Sequence, residues 1–431
     1  MCGIVGAREG WLRARGLEPT AAMDAAVQAL RWRGADRQAH QRAGEWRLGC
    51  ARLTISAGEG QPVRRRALGT TAVLNGAITN ARELWRELEP GSERADPLPN
   101  DAALPGLLVG HRRAQRLDDL RGHHAYAVVD ERTDELFLGQ DRYGERPLSC
   151  VIARRHGRWQ LVAFASTPAA LRAFGVVPRP GPDAVAQWFR YGWGEAAACD
   201  LEADLRVCEL PERGVAYVSR ASGERWVERA RPADASGSPA ARASTSRAAE
   251  SLTALLRASV QRCLDTPSAA GLCLSGGVDS SCLALTLGAL QRVVPAYQFA
   301  ARGGATDERR AAAAVAATAG LPLRRVDGGP EVLDALPRLT QLYGQPLGDP
   351  SVLAAHAVAA AARADGVRVL LGGEGADELL LGYRRYRALR RLQRVPRPAR
   401  LGRAVRRLLP WSMSAAARSA RAPRPRQPAP P

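Results

Sequence analysis

The first half of the chain alternates short apolar runs with turns. Runs at 46–55, 71–74, 125–129, 135–139 and 159–165 have strand length, and their close spacing predicts layered sheets. Helical periodicity at 20–33 and 80–88 interrupts them, so this half reads as mixed rather than all-β. Between 231 and 247 the sequence RPADASGSPAARASTSR loses its hydrophobic periodicity and fills with Ala, Ser, Pro and Gly, which predicts a solvated linker and a domain boundary. Beyond it, apolar runs at 271–274, 293–299 and 367–371 alternate with helical stretches, the rhythm of a doubly wound α/β unit on a parallel sheet. Farther on, Pro, Arg and Ala mix with almost no period, and disorder is expected apart from a short helix at 401–409. The expected organisation is a domain at 1–230, a linker at 231–247, a second domain at 248–390 and a tail at 391–431.

Composition changes this picture in three ways. A length of 431 residues suits two domains, each able to bury a core. No apolar run approaches the roughly 18 residues of a membrane span, and the first 30 residues carry Asp, Glu and Arg, so a cytoplasmic protein is expected. The net charge of +19 is uneven: 384–431 holds 15 arginines and no acid, which leaves +4 for the rest. A basic tail without aromatic interleaving or a recognition motif argues against nucleic acid as a partner. All 62 basic residues are Arg, so no lysine is available for catalysis.

Candidate chemistry begins at Cys2. Methionine is normally trimmed before a small residue, which would leave Cys2 with a free α-amine titrating near about 7.7 to 8, a base beside a strong nucleophile. The other seven cysteines (50, 150, 199, 208, 263, 273 and 282) show neither CxxC spacing nor disulfide density. In the second half a strand-like Leu272-Cys273-Leu274 runs into Ser275-Gly276-Gly277-Val278-Asp279-Ser280-Ser281 and then a helix. Glycines there let backbone N–H groups approach an anion, the serines add hydroxyl donors, and the helix presents its positive end. GxxxxGK[ST] is absent, so this is not a Walker loop. A third landmark, Gly372-Gly373-Glu374-Gly375-Ala376-Asp377-Glu378, gathers three carboxylates at a strand end, as a site for Mg²⁺ or an electrophilic substrate would. His123 and His124 point opposite ways on a strand and match no ligand spacing, so no metal is assigned to them.

Taken together the motifs resemble a known family. The opening Met1-Cys2-Gly3-Ile4-Val5-Gly6 is similar to MCGIxG of the class II glutamine amidotransferases. Arg33-Gly34-Ala35-Asp36 is similar to RGPD, 48–53 to LGHxRL, and 74–80 to the segment around NGEIYN; Asp101, 141–148 and Phe164-Ala165-Ser166 follow in the same order. The Ser275–Ser280 string resembles the PP-loop of ATP pyrophosphatases, and 373–383 resembles GEGADELFGGY of asparagine synthetases. Weaker echoes lie at Thr306-Asp307-Glu308 and at 344–351. The resemblance implies an N-terminal Ntn-type layered α/β-β/α glutaminase domain (α+β) followed by a doubly wound PP-loop α/β domain.

The resemblance also implies roles. Cys2 would attack the glutamine amide, Asn75 and the Gly76 N–H would hold the oxyanion, Arg52 the substrate carboxylate, and Asp101 its ammonium. Leu274, Ser275, Gly276, Gly277, Asp279, Ser280, Phe299, Gly372 and Gly373 would hold ATP. Glu374 would support acyl-adenylate formation, and Asp279 and Asp377 would bind Mg²⁺. The implied reaction is glutamine-dependent, ATP-consuming amidation of aspartate or a related carboxylate. Alternatives are an amide- or lactam-forming cyclase, or an impaired remnant with a basic tail.

Three positions depart from the pattern: Ala77 replaces a Glu that contacts the glutamine amino group, Cys50 a His, and Arg146 a Lys. Only 48 residues follow Tyr383, and they do not match the family's lysine-bearing closing segment. The expected explanations are a truncation, a partner chain completing the second domain, or an enzyme that uses Arg; a homodimer is a further assembly it allows.

Overall fold

A computed structural model describes residues 2–55, 60–94, 98–155, 157–192, 199–202, 204–210, 216–220, 223–227, 245–301 and 308–394. Thr306, Asp307, the linker up to 244 and the expected helix at 401–409 lie outside the described residues. The chain divides into two units, Met1–Gly372 and Gly373–Pro431, taken in turn.

The first unit opens with two six-stranded antiparallel sheets. One runs Leu205–Glu209, Ser149–Arg155, Arg158–Ala165, Gly3–Arg8, Trp46–Arg52, Arg37–Ala43. The other runs Gly223–Val227, Ala216–Arg220, Glu135–Gln140, Gly122–Asp130, Thr70–Ile78, Val63–Arg65. Alternation along the strands explains how they stack. Ile4, Leu48 and Cys50 from the first sheet meet Val73, Ala125, Ala127 and Val129 from the second in one dry core. Val5 and Ala7, facing the other way, pack on Met23, Ala26 and Val27 of the helix Pro19–Ala29. On the far side Ala72, Leu74, Tyr126 and Val128 pack on Leu84, Trp85, Leu104 and Leu108 of the helices Ala81–Leu88 and Ala103–Gly110. The result is the layered α/β-β/α sandwich.

The helix Pro19–Ala29 is begun by Pro19 in its first turn and by Glu18, whose carboxylate accepts the N–H groups of Thr20 (2.9 Å) and Ala21 (2.6 Å). It stops short of the expected residue 33 because the next residues are drawn to the sheet. Arg33 donates to the Cys2 carbonyl, and Gly34 lies so close to the Ala51 carbonyl that a Cβ would meet it at 2.2 Å.

Also within this unit lies a four-stranded parallel sheet, ordered Leu323–Gly328, Ala296–Ala301, Ala270–Cys273, Val369–Leu371. Leu272, Leu274 and Ala296 face the helices Thr245–Cys263, Val278–Ala289 and Arg309–Ala319, while Tyr297 and Phe299 face the helix Ser351–Ala364. Helices on both faces make it doubly wound. The middle strand begins at Ala296, after Pro295, rather than at the expected 293, since a proline has no N–H for the ladder. In the second unit, Ala376–Leu380 and Arg384–Arg394 are helical. Among the described residues no helix is long and apolar enough to cross a membrane.

Candidate functional site

The antiparallel register, with Gly3 opposite Ala51 and Ile4 opposite Cys50, brings Cys2 beside the end of the Trp46–Arg52 strand. Cys2 is 5% exposed, its thiol lies 3.6 Å from the Leu53 carbonyl, and its own carbonyl accepts from Arg33 Nε at 3.0 Å. A hydrogen bond from the Cys50 thiol lowers the Cys2 thiol to about 7, against the upward push of burial and of Asp101, and with help from the chain's α-amino charge. Cys50 moves the other way, well above the usual thiol range, because of its hydrogen bond to Cys2 and its complete burial. Arg33 falls to about 10 and Arg146 is also lowered, each chiefly by desolvation; both feel the Cys2 charge.

Asn75 and Gly76 lie in the last half of the Thr70–Ile78 strand. Asn75 is fully buried and pairs with Ala125, so its side chain shares the inter-sheet face with Val73 and Ala125. Its Nδ2 reaches Ser166 Oγ at 3.4 Å, while its Oδ1 is buried without a hydrogen-bond partner among the described residues. Ser166 is itself fixed to the nucleophile strand, its Oγ accepting from Ile4 N–H and its N–H donating to the Ile4 carbonyl, both at 2.9 Å. At Gly76 φ is +121° and a Cβ would lie 1.8 Å from the His123 carbonyl, so only glycine fits. Arg52 and Asp101 are both buried, and Asp101 Oδ2 accepts from the Ile78 N–H at 2.9 Å. The expected nucleophile, amide donor, cation and carboxylate thus come from four segments far apart in sequence.

Sequence reasoning missed three features here. Ser166 belongs to a matched motif that implies no role for it. That Cys2 and Cys50 share one core follows only from strand register. Third, Ala77 stands opposite His123, whose Nδ1 lies 2.8 Å from Glu145 Oε2. Hydrogen bonds with Cys263 and then Glu145 raise His123 to about 9, so it carries charge at neutral pH. Its neighbour His124 is buried and stacks on Tyr126, 6.0 Å between ring centroids. Among the described residues no group of three or more His, Cys, Asp or Glu is placed to hold a metal.

Around this site the antiparallel and parallel sheets are tied together. Thr266 and Ser268 hydroxyls donate to the Ile55 carbonyl at 2.5 and 3.0 Å, Arg368 Nε donates to the Thr54 carbonyl at 3.0 Å and its guanidinium pairs with Asp36, and Trp32 rests on Tyr343 with centroids 5.0 Å apart.

At the C-terminal end of Ala270–Cys273 the chain turns through Ser275-Gly276-Gly277 into the helix Val278–Ala289. Gly276 has φ +90°, and a Cβ there would crowd the Ala312 amide nitrogen at 2.8 Å. Ser275 Oγ lies 3.1 Å from Ser280 Oγ and accepts from the Gly277 N–H at 3.2 Å, which braces the turn. Leu274 is buried beneath it, and Asp279 sits half-buried in the helix's first turn. Phe299 is half-buried on the opposite face of the sheet from Leu274, so close to Gly328 that a Cβ there would meet its ring at 2.3 Å. Gly372 closes the first unit. In the second unit Glu374 is exposed, Asp377 is half-buried against Gly382, and Glu378 accepts the Tyr383 hydroxyl at 2.9 Å.

Comparison with known proteins agrees with both halves. Residues 1–216 match the family model described as a glutamine amidotransferase domain, and residues 251–430 match that described as asparagine synthase. A Mycobacterium tuberculosis protein provisionally named a glutamine-hydrolysing asparagine synthetase is 28% identical over 429 residues, covering 90% of this chain and 61% of that protein. Asparagine synthetase (glutamine-hydrolysing) 1 of Bacillus subtilis is 24% identical over 397 residues, covering 90% and 60%. The chain therefore spans about three-fifths of the length of the curated relatives it matches. Solved structures of an NH3-dependent NAD synthetase from Campylobacter jejuni (TM-score 0.22, 20% identity, 31% of this chain and 58% of that one) and a glutamine-dependent NAD+ synthetase from Acinetobacter baumannii (0.23, 21%, 43% and 34%) overlap too little to bear on the argument.

Proposed function

This chain belongs to the glutamine amidotransferases, with an asparagine synthase domain following, and on that premise we propose that it hydrolyses glutamine at Cys2 and spends the ammonia on an ATP-activated carboxylate. The observation that carries the proposal is the convergence of Cys2, Asn75, Arg52 and Asp101 at one end of the sandwich, with Ser166 bound to the nucleophile strand.

The Cys2 thiolate adds to the amide carbon of glutamine, forming a C–S bond and an oxyanion. The oxyanion meets the Gly76 N–H and the Asn75 amide. Turning that amide about its terminal bond lets the Ser166 hydroxyl donate to Oδ1, which has no other partner among the described residues, and leaves an Nδ2 hydrogen for the oxyanion. The C–N bond then breaks, the protonated α-amine gives its proton to the departing nitrogen, and ammonia leaves a thioester that water hydrolyses to glutamate. Arg52 pairs with the substrate carboxylate and Asp101 takes its ammonium.

The second active centre is read from the Ser275–Ser280 turn. Its glycine φ and tight packing make a cradle that a Cβ would fill, and the donor set of serine hydroxyls and backbone N–H groups suits polyphosphate. By the resemblance, Asp279 in the first unit and Asp377 in the second would each offer hard oxygen donors of the kind Mg²⁺ takes. The ion, when bound, would neutralise the developing pyrophosphate charge. Leu274, Phe299, Gly372 and Gly373 would line the nucleotide, and Glu374 would assist acyl-adenylate formation. Aspartate, suggested by the relatives' names, is the proposed acceptor, and asparagine the product.

The test is glutamate and pyrophosphate release by purified protein with glutamine, ATP, Mg²⁺ and aspartate, against Cys2→Ala. Both products, with only glutamate lost in the variant when ammonia is supplied, support the proposal. Release of neither refutes it.

A further inference from the structure

We infer that Gln61 is a positioning residue for the oxyanion site: its side-chain oxygen anchors the backbone just before Asn75 and so aims the Gly76 N–H. The inference rests on the glutaminase reading and adds to it a residue that acts through the strand rather than on the substrate.

The need for such an anchor comes from the sheet. The strand Thr70–Ile78 lies between Gly122–Asp130 and the short Val63–Arg65. On the short side the register runs only from Arg65 opposite Thr70 to Val63 opposite Ala72. On the long side it continues to Ile78 opposite Gly122, and just beyond it the Thr79 N–H donates to the Arg121 carbonyl at 2.8 Å. N–H groups alternate between the two edges of a strand, so Leu74, Gly76 and Ile78 present theirs to the edge that Val63–Arg65 has already left.

Side chains stand in for the missing strand at two of these positions. Gln61 Oε1 accepts from the Leu74 N–H at 2.7 Å, and Asp101 Oδ2 accepts from the Ile78 N–H at 2.9 Å. Gln61 is 5% exposed and Leu74 is fully buried, so an orphaned N–H there would be costly. Gly76 lies midway between the two anchors. With φ at +121° and no side chain to pack, it has the freedom of glycine, and its peptide planes are set by the residues that flank it. The Asp101 carboxylate is shared with the substrate ammonium in the glutaminase reading, whereas the Gln61 anchor is independent of substrate. Asn75 follows Leu74 directly, so both proposed oxyanion donors hang from the amide that Gln61 holds.

The experiment measures kcat and KM for glutamine in full-length wild type, Gln61→Met, Gln61→Asn and Gln61→Glu, together with the rate of Cys2 alkylation by iodoacetamide, read by peptide mass. Alkylation displaces iodide at a saturated carbon and forms no oxyanion, so it reports the nucleophile and the fold but not the donors. Gln61→Met keeps the length and lacks the acceptor; kcat should fall about 10- to 100-fold with little change in KM, and alkylation should stay within about twofold of wild type. Gln61→Glu keeps an oxygen at the same reach and should recover most of kcat. Gln61→Asn draws the oxygen back by one methylene and should lose kcat in the same sense, which decides the matter if the Met variant does not fold. Wild-type kcat in Gln61→Met, or in Gln61→Asn where Met does not fold, overturns the proposal. So does a parallel loss of alkylation and kcat, which would make Gln61 a folding residue only, or a Glu variant no better than Met. If wild type releases no glutamate from glutamine, the glutaminase reading falls; if it does and kcat ignores residue 61, this inference alone falls.

Discussion

At Cys2 the lowered thiol value sets an acid limb: glutamine hydrolysis should fall as pH drops through about 7, because the thiolate is the reacting form. Asn75→Ala should reduce kcat by about 10² to 10³ with a smaller change in KM, since an oxyanion donor acts chiefly in the transition state. Ser166→Ala should lower kcat too, through the orientation of the Asn75 amide; equal kcat in wild type and S166A would remove that role. Ala77→Glu restores a carboxylate that the pattern lacks and should lower KM for glutamine; an unchanged KM would mean that residue 77 does not face the substrate ammonium. Cys2, Asn75, Arg52 and Asp101 were legible in the sequence as motif residues. Ser166 was not legible as a partner, because its contacts with Ile4 and Asn75 depend on cross-strand register rather than on spacing along the chain.

Elements carry the second set of consequences. The strands at 46–52, 125–129, 135–139 and 159–165 were readable from apolar runs, whereas Arg37–Ala43, with its polar sequence RQAHQRA on a sheet edge, gives no such signal. The turn before Val278–Ala289 was readable from its glycines, and its geometry gives the reason. Gly276→Ala must hold a side chain at φ +90° against the Ala312 amide, a strain of about 1–3 kcal/mol. Pyrophosphate release should drop by more than tenfold while Cys2-dependent glutamate release persists; parallel loss of both would make the turn a folding element only. The His123–Glu145 pair, opposite the site's Ala77, should add at most about 1 kcal/mol, since both side chains are more than a third exposed. Its histidine is raised in the folded state, so that contribution is full below about 6.5 and disappears as pH rises through about 9. The Tm difference between wild type and His123→Ala should follow this course, and a difference that grows with pH would contradict it.

For the whole molecule, two chemistries are read within one chain that has 62 arginines and no lysine. Arginine does not deprotonate in proteins, so proton transfer falls to the thiol, the α-amine and the carboxylates. The antiparallel sandwich and the parallel sheet are joined through Ile55, Thr54 and Asp36, residues near in sequence to Leu53 and Arg33, which contact Cys2. The change from antiparallel to parallel sheet was legible from the change of apolar rhythm, but the contacts at Ile55 and Thr54 were not, since they link backbone carbonyls to side chains more than 200 positions away. The central claim is that Cys2 attacks the side-chain amide of glutamine. The most direct measurement is covalent trapping with a diazoketone analogue of glutamine, followed by peptide mass mapping. The account predicts one label, on Cys2, prevented by excess L-glutamine and absent from Cys2→Ala; no label, or label spread over other cysteines and indifferent to glutamine, would contradict it.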